Sequence, residues 1–187
     1  MDLIVAITGA SGVCYGVRLL EVLKKACVST HLIVSEVGRE VLRYELALEV
    51  EDLKKYVKEN YDPNNLTVGI CSGSNKTDGM VVVPCSMKTL AAIANGFSYN
   101  TITRVADVMI KEKRPLILVP RETPLNGIHL RNMAHLDERG VIILPAIPGF
   151  YHHPKNIEDI VDFVVGKILD SMGLDNNLFE PYKVLKL

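Results

Sequence analysis

The sequence predicts a single α/β domain in which helices flank a mostly parallel sheet. Short β-branched runs alternate with amphipathic helical stretches along the chain, which is typical of strand–helix–strand units. The first run, Leu3–Thr8, is apolar at nearly every position, as expected for a strand covered on both faces. The 187 residues suffice for one ordinary core, and no repeat or low-complexity segment divides them. We therefore expect one domain over residues 1–187.

Each element follows from its own pattern. Strands are predicted where short apolar runs are mostly β-branched, and helices where apolar residues recur every three to four positions. The predicted strands are Leu3–Thr8, His31–Val34, Met80–Val83, Leu116–Val119 and Val141–Leu144, the last three ended by prolines. One helix is predicted to begin near Val13. Four further helices are predicted over Val37–Tyr44, Ser86–Ala94, Thr101–Glu112 and Asn126–Asp137. In the last helix, Asn156 is the N-cap and apolar residues from Ile157 to Leu169 form one stripe.

The charge balance excludes several classes of partner. Lys plus Arg is 21 and Asp plus Glu is 22, so the chain has no basic excess for nucleic acid. No uncharged apolar run approaches the roughly 18 residues of a membrane span. Asp2 stands where a secretory signal would carry positive charge. We expect no nucleic-acid or membrane partner and a cytoplasmic location.

Cysteine and histidine spacing indicates no metal site. Cys14, Cys27, Cys71 and Cys85 form no CxxC pair, so we expect free thiols packed as small apolar residues. No HExxH or aspartate-rich motif is present. The pair His152–His153 is interpreted as a solvated loop pair.

The candidate chemistry lies in the loops that follow the strands, because ligands of parallel sheets bind beyond the carboxyl ends. Small hydroxyl residues at two helix starts, Ser11 and Ser86, indicate two places for a phosphate. The first loop has glycines in a GxxGxxxG pattern, with Glu36 twenty residues beyond Gly16. That spacing departs from a nicotinamide-cofactor fingerprint, and a plain tight turn stays an alternative.

Taken together, the loops resemble the flavin prenyltransferases, UbiX-type enzymes long described as aromatic-acid decarboxylases. The matching segments lie in family order and cover nearly the whole chain. They are Ile7–Gly12, Asp78–Met80, Pro84–Ala91, Pro120–Leu125, His129–Met133 and Pro145–His152.

The resemblance implies a Rossmann-like or flavodoxin-like fold and a cofactor-making activity. Family members transfer a dimethylallyl group from its monophosphate to N5 and C6 of reduced FMN, without metal. The prenylated FMN serves a UbiD-type decarboxylase. Members assemble as trimers packed into dodecamers, with the flavin between subunits.

The resemblance also implies roles for individual residues. FMN would be held by Gly9, Ala10, Ser11, Ser35, Ser86, Met87, Lys88, Thr89 and Arg121. The prenyl phosphate would be held by Arg104, Lys111, Arg121, Tyr151 and Lys167, with Tyr182 closing the site. Glu122 would be the acid–base group, with Ser11, Lys111, Arg104 and Glu45 as further catalytic candidates. The tail, about residues 173–187, would pack at the site or on a neighbouring subunit.

One departure and several alternatives accompany these roles. Asn75 follows Ser72–Ser74 where relatives often have an aromatic residue, so the resemblance does not extend to how this loop covers the prenyl chain. Arg104 and Lys167 also suit surface pairs with Asp107 and Asp170, and Lys111 suits a solvated helix end. An FMN-dependent cysteine decarboxylase and a non-catalytic flavin carrier are the alternative functions.

Overall fold

The structure is a computed structural model that describes residues 1–182. Within this range six strands form one sheet, and each neighbouring pair is parallel. The strands are β1 Asp2–Ile7, β2 Ser29–Val34, β3 Glu59–Tyr61, β4 Gly79–Cys85, β5 Leu116–Pro120 and β6 Ile142–Ile143.

Helices connect successive strands. They are α1 Val13–Lys25, α2 Glu36–Leu46, α3 Val50–Leu53, α4 Met87–Ala94, α5 Thr101–Lys111, α6 Gly127–Asp137 and α7 Ile157–Ser171. Single turns of 3₁₀ helix lie at Lys54–Tyr56 and Gly69–Cys71. Side-chain caps fix several starts, and Asn156 accepts the Asp159 N–H at 2.8 Å as predicted.

The strand order decides between the two predicted topologies. The order is β3-β2-β1-β4-β5-β6, which is the order of the Rossmann fold rather than that of flavodoxin. The chain winds outward in opposite directions from β1 and β4. Their carboxyl ends therefore form the switch point of the sheet, where such folds bind ligands.

The core lies on both faces of the sheet, because successive side chains of a strand point in opposite directions. Leu3, Val5 and Ile7 pack in one cluster with α1 and α7. Ile4 and Ala6 pack in the other, with α4 and α5. The predicted α/β domain with a buried parallel sheet is confirmed.

Most boundaries differ from the predictions by one or two residues, and β5, like β4, includes the proline predicted to end it. Three strands show further differences. Strand β4 continues through Pro84 to Cys85, and its register with β5 is irregular between Val82 and Cys85. Strand β6 contains only Ile142–Ile143. Strand β3 was not predicted, since its residues Glu59–Tyr61 are polar and lie at the edge of the sheet.

The cysteines are free thiols, but they do not all pack alike. Cys71 and Cys85 are buried and Cys14 is half-buried, as predicted. Cys27 is exposed just beyond α1, so the prediction that it packs inside was wrong. Among the described residues no helix is long and apolar enough to cross a membrane.

Candidate active site

A buried threonine joins the two strand ends at the switch point. Thr8 Oγ1 donates to the Pro84 carbonyl oxygen at 2.8 Å and accepts from the Ser86 N–H at 2.8 Å. On the other side, the Ser35 N–H donates to the Ile7 carbonyl oxygen at 3.0 Å. These bonds hold Ser35 and Ser86 on either side of β1.

The two serines border a cleft of about 180 Å³, here called the switch-point cleft. Five of the predicted FMN-binding residues line it together, with two residues that were not predicted. The lining consists of Gly9, Ser35, Ser86, Lys88 and Thr89, joined by Val37 and Tyr99. The other four predicted FMN residues differ in position: Ala10 is buried, Ser11 is exposed, Met87 packs on the core, and Arg121 lies in a second cleft described below.

Two helices begin at this cleft. Ser35 caps α2 by accepting the Gly38 N–H at 3.0 Å, and Ser86 caps α4 by accepting the Thr89 N–H at 3.4 Å. Within residues 1–182, no side chain accepts from the earlier first-turn N–H groups of either helix. Free N–H groups and the positive ends of the helix dipoles make such a cleft suited to an anion.

The helix start after Ser11 is different, because a carboxylate already occupies it. Gly12 adopts a φ of 95°, and Glu45 accepts hydrogen bonds from the Gly12 N–H at 2.9 Å and the Val13 N–H at 3.2 Å. Glu45 forms no ion pair with a described cation. Of these three helix starts, those at Ser35 and Ser86 are open, whereas the start after Ser11 is capped by Glu45. A phosphate place at Ser11 stays a prediction.

A close backbone approach explains the glycine after β1. A Cβ atom built on Gly9 would lie 2.4 Å from Cγ1 of Val37, far inside van der Waals contact. Both residues line the switch-point cleft. A larger residue at position 9 would displace the start of α2.

A second cleft, of about 280 Å³, lies beyond β5 and β6 and contains Arg121 and Glu122. Arg121 is half-buried, and its Nε has no hydrogen-bond partner among the described residues. Glu122 is exposed, and its Oε1 accepts only the neighbouring Thr123 N–H, at 3.1 Å, within that range. The guanidinium of Arg121 and the carboxyl group of Glu122 thus belong to adjacent residues. Each has hydrogen-bonding capacity that no described residue uses.

A third cleft, of about 240 Å³, lies between α7 and the tail and gathers Tyr151, Lys167 and Tyr182. The two tyrosine rings meet edge to face, with centroids 5.6 Å apart. Lys167 Nζ lies 3.2 Å from Asp170 Oδ2 and 5.6 Å from the centroid of the Phe179 ring. The predicted surface pair with Asp170 is therefore present in the same cleft as the predicted phosphate ligands.

His152 is not a solvated loop residue, contrary to the prediction. Its ring stacks on Phe163 with centroids 5.1 Å apart and an interplanar angle of 10°. Both ring nitrogens are buried without partners in the described range. It forms part of the aromatic cluster beneath Tyr151, whereas His153 is exposed.

Arg104 and Lys111 lie elsewhere, on α5 beside the segment 69–75. Arg104 donates to the Cys71 carbonyl oxygen at 3.2 Å and pairs with Asp107 at 2.8 Å. Lys111 pairs with Glu112. Neither residue lines the clefts of Arg121 or Lys167.

Asn75, the departure from the family pattern, ties this segment to itself. Its Nδ2 donates to the Gly69 carbonyl oxygen at 2.8 Å. Arg114 donates to the carbonyl oxygens of Asn75 and Gly73 at 3.0 and 2.6 Å. The polar residue thus closes the loop by hydrogen bonds, as an aromatic ring would not.

Three of the four thiols are unsuited to act as nucleophiles. Burial raises the pKa values of Cys14, Cys71 and Cys85, so their thiolate forms are scarce at neutral pH. Within the described part of the chain, no group of three or more His, Cys, Asp or Glu side chains has the geometry of a metal site.

A family model described as Flavoprotein matches residues 1–169. This match, together with the fold and the switch-point cleft, places the protein in the Flavoprotein class. The chain is 51% identical over 180 residues to the flavin prenyltransferase UbiX of Methanothermobacter thermautotrophicus, covering 96% of this chain and 94% of that protein. The chain belongs to the flavin prenyltransferase family, which confirms the resemblance seen in its loops.

Solved structures agree with this assignment. The chain is 42% identical, with a TM-score of 0.96, to AnUbiX (PadA1) in complex with FMN and dimethylallyl pyrophosphate, covering 99% and 98% of the two chains. The chain is also 42% identical to a dodecameric FMN-dependent UbiX-like decarboxylase from Escherichia coli O157:H7. The TM-score is 0.95, and the match covers 98% of this chain and 100% of that chain. The cysteine decarboxylase TvaF is 19% identical over 92% of this chain and 98% of its own, with a TM-score of 0.64, and shares the fold alone.

Proposed function

We propose that the protein transfers a dimethylallyl group from its phosphate ester to N5 and C6 of reduced FMN. The observation that carries this proposal is the switch-point cleft, where two capped helix starts and Lys88 converge. The relatives of about 50% identity are named flavin prenyltransferases, which supports the same activity.

The residues present fit the phosphate end of FMN. Two helix starts supply N–H donors, and Lys88 supplies a charge with no carboxylate within 4.0 Å among the described residues. A cleft of about 180 Å³ is smaller than a typical site for a whole drug-sized ligand. We therefore place only the phosphate end there, with the ring system extending towards Ser11.

The prenyl ester requires a different set of side chains. Phosphate is a poor leaving group unless its charge is neutralised, and without a metal ion the cations must come from protein. The candidates are Arg121, whose Nε has no partner among the described residues, and Lys167 beside Tyr151. They hold the anion while its C1–O bond breaks.

The remaining cations are proposed to come from other copies of the chain. Arg104 and Lys111 lie outside the clefts of Arg121 and Lys167. The Escherichia coli relative is dodecameric. We propose a trimer-based homo-oligomer, expected to be a dodecamer, in which α5 of one copy faces the prenyl cleft of the next.

Glu122 is proposed as the group that moves protons. It gives a proton to the phosphate that departs as N5 is alkylated, and the proton lost from N5 is available to protonate the allylic double bond. C6 then bonds to the resulting tertiary carbon, and the Glu122 carboxylate takes the proton that leaves C6. Its exposure leaves both oxygens accessible to a ligand. When bound, reduced flavin supplies the nucleophile, and the protein's part is to orient the two partners.

The test is the mass of the flavin after anaerobic incubation with reduced FMN and dimethylallyl phosphate. We expect a flavin heavier by one C5 unit, and parallel reactions with the diphosphate ester will identify the preferred donor. Transfer of the product to a UbiD-type decarboxylase should activate that enzyme. An unchanged flavin mass with folded, flavin-binding protein would reject the proposal.

The main alternative predicts a different product. An FMN-dependent cysteine decarboxylase would remove CO₂ from a peptide ending in cysteine and would not alter the flavin. Structures of such enzymes share only the fold with this chain. Incubation of the oxidised holoprotein with such a peptide should yield no mass loss.

A further inference from the structure

Lys88 occupies a position that helix electrostatics disfavours. It is the second residue of α4, whose first turn contains no acidic side chain. A cation near a helix N-terminus is repelled by the helix dipole, so lysine there is destabilising unless an anion is bound. No described carboxylate lies within ion-pair distance of its Nζ.

An aromatic ring holds this lysine at the cleft. Lys88 Nζ lies 5.2 Å from the centroid of the Tyr99 ring, within the range of a cation–π interaction. Tyr99 also lines the switch-point cleft, together with Ser35 and Ser86. The ring therefore restrains the ammonium group on the side where the two helix starts converge.

The ring is itself supported from behind. Phe97 and Tyr99 stack with centroids 5.4 Å apart and an interplanar angle of 23°. The Phe97 N–H donates to the Ala92 carbonyl oxygen at 2.8 Å, and the Tyr99 N–H donates to the Phe97 carbonyl oxygen at 3.0 Å. The loop between α4 and α5 is thus folded back against the helix that carries Lys88.

We infer that Tyr99 is a positioning residue for Lys88 and that this pair makes the protein select flavins that carry a phosphate. A free lysine side chain loses much rotamer entropy when it binds an anion. A lysine side chain that a ring already restrains loses less rotamer entropy on binding. The affinity for FMN, which carries a phosphate, therefore increases, whereas the affinity for riboflavin does not. The inference rests on the proposed placement of FMN in this cleft.

The test compares FMN and riboflavin by fluorescence titration of the full chain, with no prenyl donor. For Tyr99→Leu we expect about threefold to tenfold weaker FMN binding and unchanged riboflavin binding. Tyr99→Phe keeps the ring and should bind FMN like the wild type. In a Lys88→Met background, Tyr99→Leu should have no further effect.

Three results would overturn the inference. They are equal weakening of both flavins by Tyr99→Leu, unchanged FMN binding in that variant, and a full Tyr99→Leu effect without Lys88. Circular dichroism identifies any variant that fails to fold. If Tyr99→Leu fails, Tyr99→Phe is compared with wild type with both flavins. Loss of FMN selectivity in Tyr99→Phe, which retains the ring, is a fourth result that would overturn the inference. Because no prenyl ester is used, selectivity is measured independently of prenyl transfer, and either proposal can fail alone.

Discussion

The switch-point cleft and the groups predicted for the prenyl phosphate are built differently. The first is assembled within one chain, by two serine-capped helices and a backbone approach at Gly9. The second is divided among the cleft of Arg121, the cleft of Lys167 and the face of α5. In the proposed function one copy therefore holds the flavin phosphate, whereas the full set of prenyl ligands comes from more than one copy.

The largest expected effect is on the rate of prenyl transfer. Glu122→Gln removes the proton donor and should lower kcat by at least about a hundredfold. FMN affinity should stay at the wild-type value, because Glu122 does not line the switch-point cleft. Single-turnover rates and flavin titration measure the two quantities. Wild-type turnover in this variant would remove Glu122 from the proton-transfer step.

The flavin side is tested by Gly9→Ala. The new Cβ would lie 2.4 Å from Val37 Cγ1, so α2 must shift and FMN affinity should fall about tenfold or more. Val37→Gly removes the obstacle, and the double variant should regain most of the affinity of Val37→Gly alone. Equal FMN binding by Gly9→Ala and wild type would contradict the proposed cleft.

The α7–tail cleft is tested by paired changes at Lys167. Lys167→Met should raise the KM for the prenyl ester about tenfold while FMN affinity is unchanged, because a charge-assisted contact to the phosphate is lost. Lys167→Arg keeps the charge and should stay much closer to wild type. A KM that is equal in all three proteins would remove Lys167 from the ester site.

The smallest effect distinguishes two roles for Glu45. Its carboxylate caps α1 through Gly12 and Val13, so Glu45→Ala should lower Tm by about 2–4 °C. The ester KM and kcat should be unaffected. A fall in kcat with unchanged Tm would instead support the catalytic role implied by the family resemblance.

The parts of the molecule that follow local rules could be predicted from sequence. Strand β1 is apolar from Leu3 to Ile7, and Ser86 stands at the start of a helical stripe, so both were found. Strand β3 was missed because it is short, polar and at the edge of the sheet. Contacts that depend on distant packing were not foreseen: the Glu45 carboxylate, predicted only as a catalytic candidate, accepts from a helix start 33 positions away. The stacking of His152 on Phe163 likewise has no local signal.

Tyr99 shows the same limit within the site. It follows a turn at Gly96 and resembles an ordinary loop residue in the sequence. Only the folding of the α4–α5 loop brings its ring to Lys88 and to the cleft. Arg104 and Lys167 each had two interpretations from the sequence, as a phosphate ligand or as part of a surface ion pair. Within one chain both ion pairs are present. Ligand binding decides whether these pairs open.

We propose that the FMN phosphate and the prenyl ester are held by different groups of side chains, the first at the switch-point cleft and the second by Arg121 and Lys167. A crystal structure of the assembled protein with FMN and dimethylallyl phosphate tests this arrangement. We expect the FMN phosphate between the starts of α2 and α4, and the ester phosphate in contact with Arg121 and Lys167 with C1 facing N5. An FMN phosphate bound away from both helix starts, or an ester that touches neither cation, would contradict it.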